Sequence, residues 1–310
     1  MLKLIVLGAA AGGGFPQWNS AGPGCLRARA GDPAARPRTQ CALAVSADGE
    51  RWVLINAAPE LTAQIAATPA LHPRPARGAV RHSPLAAAVL TGGEVDTVAG
   101  LLSLRERHPF ALYATASTHA VLAANPIFGA LNPAIVPRRE LPLGMPLALR
   151  DAEGGPLGLL VEAYPVPGKV PLYQESRDEA EPGEPGTTIG LAIRAEGGEA
   201  VHFIPGCAAM TDALRDRLRG AATVLFDGTL WRDDEMILAG AGPKTGARMG
   251  HMSVSGERGT LAAFEGLGVR RRIFVHLNNT NPVLLEDSPE RARVAAAGWE
   301  VAEDGMEITA

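Results

Sequence analysis

A single α/β domain, with two sheets covered by helices, is the fold this sequence predicts. Three observations point there. Short apolar runs alternate with stretches of helical spacing; the runs stop at turns carrying glycine or polar residues; and no repeat or linker divides the 310 residues. A chain this long buries a substantial core, and residues 1–310 read as one domain. Hydrophobic residues at 46% and charged residues at 20% are ordinary globular values, while aromatics at 5% imply a core of Leu, Val, Ile and Ala.

Residues 2–7 (LKLIVL) form an apolar run that ends in a glycine-rich turn, the pattern of a buried strand. Residues 38–46 (RTQCALAVS) and 51–56 (RWVLIN) pair as strands around the turn Ala47-Asp48-Gly49. Residues 59–67 (PELTAQIAA) have helical spacing with proline in the first turn, and residues 85–90 return to strand. Residues 96–106 (DTVAGLLSLRE) predict a helix with Asp96 as N-cap and Val98, Leu101, Leu102 and Leu104 on its apolar face. Strand 110–114, helix 117–124 and strand 157–164 (LGLLVEAY) continue the alternation. Residues 174–186 (QESRDEAEPGEPG) are acidic and rich in proline and glycine, hence an exposed loop, before strand-like TIGLAIR. Residues 201–204, 223–226 and 272–275 are three further short strands.

The composition excludes several roles. A net charge of −4 without a run of Lys and Arg argues against a nucleic-acid partner. No apolar stretch approaches the roughly 20 residues of a membrane span, and MLKLIVLGAAAGGG lacks the parts of a signal peptide. A cytoplasmic protein without membrane insertion is expected. The three cysteines, Cys25, Cys41 and Cys207, are odd in number and far apart, against a disulfide framework and too few for an all-cysteine zinc site. The number of assembled chains is left open, a homodimer included.

In α/β folds reactive groups gather where strands end. Glu94 and Asp96 follow strand 85–90, Cys207 follows 201–204, Asp227 ends 223–226, and His276 follows 272–275 with Asn278 and Asn279 behind it. His251 sits among small residues in RMGHMS. Carboxylates and imidazoles converging from several elements can hold a hard or borderline metal ion. Each also has a plainer reading: Asp96 as N-cap, Asp227 before glycine as a turn residue, and a histidine at a strand end as a hydrogen-bonded group.

GAAAGGGFPQWN (8–19), RPRTQCALAVS (36–46), VPGKVPL (166–172), FIPGC (203–207), LFDGT (225–229), KTGARMGHM (244–252) and FVHLNNTNPVLLEDS (274–288) together resemble the metallo-β-lactamase superfamily and, within it, the PqqB family of pyrroloquinoline quinone (PQQ) biosynthesis. The resemblance implies a four-layer αββα sandwich with metals at one edge of the sheets. The superfamily's His-x-His-x-Asp-His motif falls on Gly92 to Thr97, where only Asp96 is kept. PqqB proteins resemble a reduced version, acidic at Glu94 and usually histidine where Thr97 stands here. Without a third histidine counterpart, the first metal position of a binuclear hydrolase is dismantled.

What remains by this resemblance is Asp96, Asp227 and His276 as the catalytic metal set, with Glu94 and His251 as further ligands. Such a mononuclear site suits Fe(II), with zinc as the other candidate, and the family implies iron-dependent hydroxylation of the tyrosine ring in a Glu-Tyr precursor. Two other functions are weighed beside it: a non-catalytic carrier taking the quinone or its precursor towards the periplasm, and a hydrolase, disfavoured by the lost histidines. The family's Cys-x-Cys-x-x-Cys cluster is reduced to Cys25 in SAGPGC, so no structural zinc is expected there. For the substrate, Gly12, Gly13 and Gly14 either meet an anionic group or simply turn the chain. Arg38, Lys169, Lys244 and Arg248 are carboxylate clamps or surface charges. Trp18 stacks on the tyrosyl ring or packs, and Asn278 and Asn279 are placed to orient His276.

Overall fold

The computed structural model describes residues 1–74, 80–175 and 182–310. Its strands are β1 (Lys3–Gly8), β2 (Ala42–Ser46), β3 (Trp52–Ile55), β4 (Leu85–Val89), β5 (Ala111–Ala114), β6 (Arg138–Glu140), β7 (Pro146–Arg150), β8 (Pro156–Pro165), β9 (Ile189–Ala195), β10 (Val201–Ile204), β11 (Thr223–Asp227), β12 (Arg271–Val275), β13 (Glu300–Val301) and β14 (Glu307–Thr309). They form two seven-stranded sheets, ordered β14-β1-β2-β3-β4-β5-β6 and β13-β12-β11-β10-β9-β8-β7. The helices are α1 (Pro23–Arg29), α2 (Leu61–Ala67), α3 (Val95–Val98), α4 (Ala116–Ala124), α5 (Asp212–Leu218), α6 (Glu235–Leu238), α7 (Gly246–Met249), α8 (Thr260–Ala263) and α9 (Pro289–Ala296).

Strand alternation builds the layers. In β10, Val201 and Phe203 enter the core between the sheets, with Val6, Val45, Ile55 and Val161, whereas Ile204 faces outward. The outer face of the first sheet buries Leu54 and Leu112 against Leu61 and Leu101, and that of the second buries Val224 and Phe226 against Phe264 and Trp299. The result is the expected αββα sandwich.

Direction matters for the site. β3, β4 and β5 run parallel, as do β10, β11 and β12, so the carboxyl ends of each set open on a common edge. The segment after β4 differs from the expected helix 96–106. Four residues of α3 give way to a 3-10 turn, Ala99–Leu104, and Glu94, not Asp96, occupies the N-cap position, with no side-chain capping bond. Asp96 lies in the first turn, which frees its carboxylate for other contacts. Backbone packing sets this geometry: the Gly100 amide donates to the Ala57 carbonyl at 2.8 Å, and a Cβ on Gly100 would stand 2.1 Å from the Ala58 carbonyl oxygen. Of the acidic loop, residues 176–181 lie outside the described residues; Gln174, Pro182, Glu184 and Pro185 are exposed as expected, while the Glu175 side chain, 5% exposed, is turned inward.

Gly100→Ala should therefore force backbone apart and cost about 3 kcal/mol of stability, read from urea unfolding. A loss within ~0.5 kcal/mol, the usual surface value, would contradict this account of the turn.

Candidate metal centre

Asp227 ends β11 with its side chain wholly buried. Its Oδ2 accepts from the Cys207 amide at 2.8 Å and lies 2.7 Å from His251 Nδ1. Its Oδ1 accepts from the Thr229 amide at 2.9 Å and the Thr229 hydroxyl at 2.6 Å. His251 follows α7, and its ring stacks on His276 with centroids 5.1 Å apart and planes 21° from parallel. One donor atom each from Asp227, His251 and His276 lies within 4.8 Å of the others. Ligands at about 2.0–2.2 Å from an ion stand roughly 3 Å apart or slightly more, so small side-chain adjustments bring all three onto one ion. The donor set therefore fits a borderline metal.

His276 reaches this point through a left-handed backbone, φ 58°, directly after β12. Its Nε2 lies 3.0 Å from Asp96 Oδ2 and its Nδ1 2.8 Å from Thr229 Oγ1. Burial alone would lower the basicity of His276, but the Asp96 hydrogen bond and the charges of Asp96 and Asp227 raise it above the ordinary histidine value. Burial likewise pushes both aspartates up; the hydrogen bond and charge of His276 bring Asp96 below the usual carboxylate range, and the charge and hydrogen bond of His251 do so for Asp227. These groups form one electrostatic unit.

Glu94 lines the same cavity but turns elsewhere. Its Oε1 lies 3.2 Å from Lys169 Nζ and its Oε2 accepts from the Leu172 amide at 3.3 Å; burial raises its pKa despite Lys169. The cavity encloses about 570 Å³, in the size range of small-ligand sites, and Gly13, Lys169, Lys244 and Asn278 line it beside the metal donors.

Other expected substrate groups lie apart. Trp18 is 85% exposed and outside the cavity lining, so it neither packs nor faces the site. Arg38 is buried and structural: its Nε donates to the Ala302 carbonyl at 3.0 Å and one terminal nitrogen to the Arg36 carbonyl at 2.8 Å. Gly14 also lies outside the lining, near the Glu60 carboxylate. Arg248 is paired with Glu175. Asn278 and Asn279 do not hold His276. The Asn278 amide donates to Thr280 Oγ1 at 2.7 Å, and that of Asn279 to Gln17 and to Asn278 Oδ1. Cys25 is buried with its thiol 3.6 Å from Asn279 Oδ1.

The residue that sequence reasoning missed is Thr229. Its one hydroxyl lies within 3.1 Å of Asp227 Oδ1, both Nδ1 atoms of the histidine pair and the His276 carbonyl. With its proton given to Asp227, its oxygen accepts from imidazole N–H and leaves His276 Nε2 for an ion. In LFDGT it reads as a turn residue, and nothing local announces the role.

Thr229→Val keeps shape and removes the hydroxyl. It should weaken binding of a divalent transition metal by about 10–100-fold while Thr229→Ser retains it, measured by competition with a chromogenic chelator.

Known proteins place this site in context. The chain matches the Beta-lactamase superfamily domain over residues 51–277. It is 60% identical over 310 residues, the whole of both chains, to the coenzyme PQQ synthesis protein B of Gluconacetobacter diazotrophicus. It is 54% identical to that of Gluconobacter oxydans, covering 99% of this chain and 98% of the other. A crystal structure of zinc-bound PqqB from Methylobacterium extorquens superposes with a TM-score of 0.93 at 48% identity, over 99% of this chain and 100% of the other. The chain belongs to the coenzyme PQQ synthesis protein B family, the PqqB branch of the β-lactamase superfamily.

Proposed function

We propose that this member of the PQQ biosynthesis family is an Fe(II)-dependent oxygenase that hydroxylates the tyrosine ring of a Glu-Tyr precursor. The observation that carries the reading is the convergence of one donor atom each from Asp227, His251 and His276 within 4.8 Å, the two histidines lining a small-molecule cavity. Two imidazoles and one carboxylate with open positions are the donor set of non-haem iron oxygenases. The same donors bind zinc, and nitrogen and oxygen sites hold zinc more tightly than ferrous iron as a rule. The zinc in the Methylobacterium extorquens protein is therefore compatible with either metal at work.

Asp227, His251 and His276 would hold the ion, with Asp96 set against His276. When bound, the iron would supply the dioxygen chemistry that no side chain here possesses. Thr229 fixes the imidazoles, Val95, Ile189 and Met249 give the cavity an apolar wall for a phenol ring, and Lys169 and Lys244 give it cations for carboxylates. Against hydrolysis stands Glu94, turned onto Lys169 and the Leu172 amide instead of towards the metal donors.

The test is oxygen uptake and product mass with a Glu-Tyr-containing precursor and protein reconstituted anaerobically with Fe(II). The full chain should consume oxygen in step with hydroxylated product, and His276→Ala or Asp227→Asn should lower the rate roughly 100-fold or more while the fold persists. A protein that takes up Fe(II) and leaves the precursor unchanged would overturn the oxygenase. Precursor binding that survives would then favour the carrier.

A further inference from the structure

Beside the metal donors, three cations meet at one withdrawn carboxylate, that of Glu175. Arg248, on α7, sets its two terminal nitrogens 3.1 and 3.0 Å from the two carboxylate oxygens of Glu175. Lys169 Nζ stands 3.0 Å from Glu175 Oε1, and Lys244 Nζ 3.5 Å from Oε2. Glu94 shares Lys169, so the three cations serve two glutamates. The Glu175 side chain is 5% exposed, Lys169 11% and Arg248 17%, so these three are largely withdrawn from water, where screening is weak, while Lys244, at 33%, keeps contact with solvent.

The cluster is built into the site. Lys169 and Lys244 line the cavity with His251 and His276, and Arg248 stands just ahead of His251 in the chain. Gly250 closes α7 in the left-handed region, φ 85°, and a Cβ there would meet Lys169 Cγ at 3.2 Å; the absent side chain lets the lysine stem lie against the turn that presents His251. A guanidinium engaging both oxygens of a carboxylate, backed by ammonium groups, is how proteins bind an external carboxylate. Here the guest is internal.

We propose that Lys169 and Lys244, in the wall of the metal cavity and joined through Glu175 to Arg248 beyond the lining, form a carboxylate seat held by Glu175 in the free protein and yielded to a carboxylate of the substrate. This rests on reading the cavity as the substrate site and adds the chemical class that the site takes: a small polycarboxylate, exchanged anion for anion. The Arg248 hydrogen bonds hold the Glu175 carboxyl down to about 2, so the occupant is charged at any working pH. Glu175 is thereby a built-in competitor, and its removal should strengthen binding, the opposite sign from a wall residue that merely shapes the pocket.

Glutarate, which carries two carboxylates and no phenol, is the probe, titrated calorimetrically into the full chain at fixed salt, with and without metal. Glu175→Gln should bind glutarate about tenfold more tightly than the unaltered chain, and Lys244→Met added to it should abolish the gain. Equal or weaker binding by Glu175→Gln, or a gain that survives Lys244→Met, overturns the seat. Should Glu175→Gln be too unstable to titrate, Glu175→Asp, which shortens the reach of the competitor, carries the same test and should also bind more tightly than the unaltered chain. Glutarate binding needs no oxygen chemistry. Lost oxygen uptake with this pattern intact therefore fails the oxygenase alone, and the reverse result fails the seat alone.

Discussion

A carboxylate without solvent contact, Asp227 at the end of β11, is the constraint around which this protein's site is arranged. An ionised group moved from water into a protein interior without partners costs many kcal/mol, so it must be met by donors wherever the fold allows them. Here the donors come from separate places in the chain: the amide of Cys207 after β10, the amide and hydroxyl of Thr229 at the exit of β11, and His251 after α7. Satisfying one charge fastens these loops to one another. Because β10, β11 and β12 are parallel, their exits fall on one edge and no long detour is needed.

The histidine at the next exit adds a second layer. His276 holds a left-handed backbone that costs a non-glycine residue of order 1 kcal/mol or more, and it survives because its surroundings fix it at both ends. Its carbonyl oxygen lies 3.0 Å from the Thr229 hydroxyl, and its ring lies between Thr229 on one nitrogen and Asp96 on the other. An extended conformation at this position would carry the ring away from Asp227. Strain is stored where the ligand has to be aimed, and Thr229 links the imidazole to the buried carboxylate.

Much of this could be read along the chain, and the failures have two causes. Apolar runs such as residues 201–204 and 223–226 alternate between two cores, so period and turn residues were enough to find them. Asp96, Asp227, His251 and His276 stood out because their residue types are chemically capable and most follow strands. The edge strand β6 (RRE) and the short helices α1, α5 and α9 were missed because edges and surface helices carry little apolar pattern. Arg38 and Thr229 were misread for a different reason. A buried arginine bonded to a carbonyl 264 residues away, or a hydroxyl joining groups from three loops, is defined only by tertiary contacts. Asp96 was read both as a cap, which local preference favours, and as a metal-site group; an imidazole 180 residues away claims its side chain.

The same geometry bears on how many ions the site can hold. A second ion would need the first two histidines of the superfamily motif, whose places are Gly92 and Glu94. At Gly92 even a Cβ would lie 3.2 Å from the Thr187 carbonyl oxygen, and at neighbouring Gly93 3.1 Å from two Val121 methyl carbons, so the backbone has closed on its neighbours where side chains would have to project. Glu94 spends its oxygens on Lys169 and the Leu172 amide. The ground that a binuclear hydrolase gives to its first ion is thus occupied by packing on one side and by a cation-bound carboxylate on the other. His251 and His276 line the remaining space and buried Asp227 joins them, a donor set of a size that serves one ion with coordination positions left for guests. With glycine at one of these places and Glu94 turned to Lys169 at the other, neither offers an imidazole to a second ion.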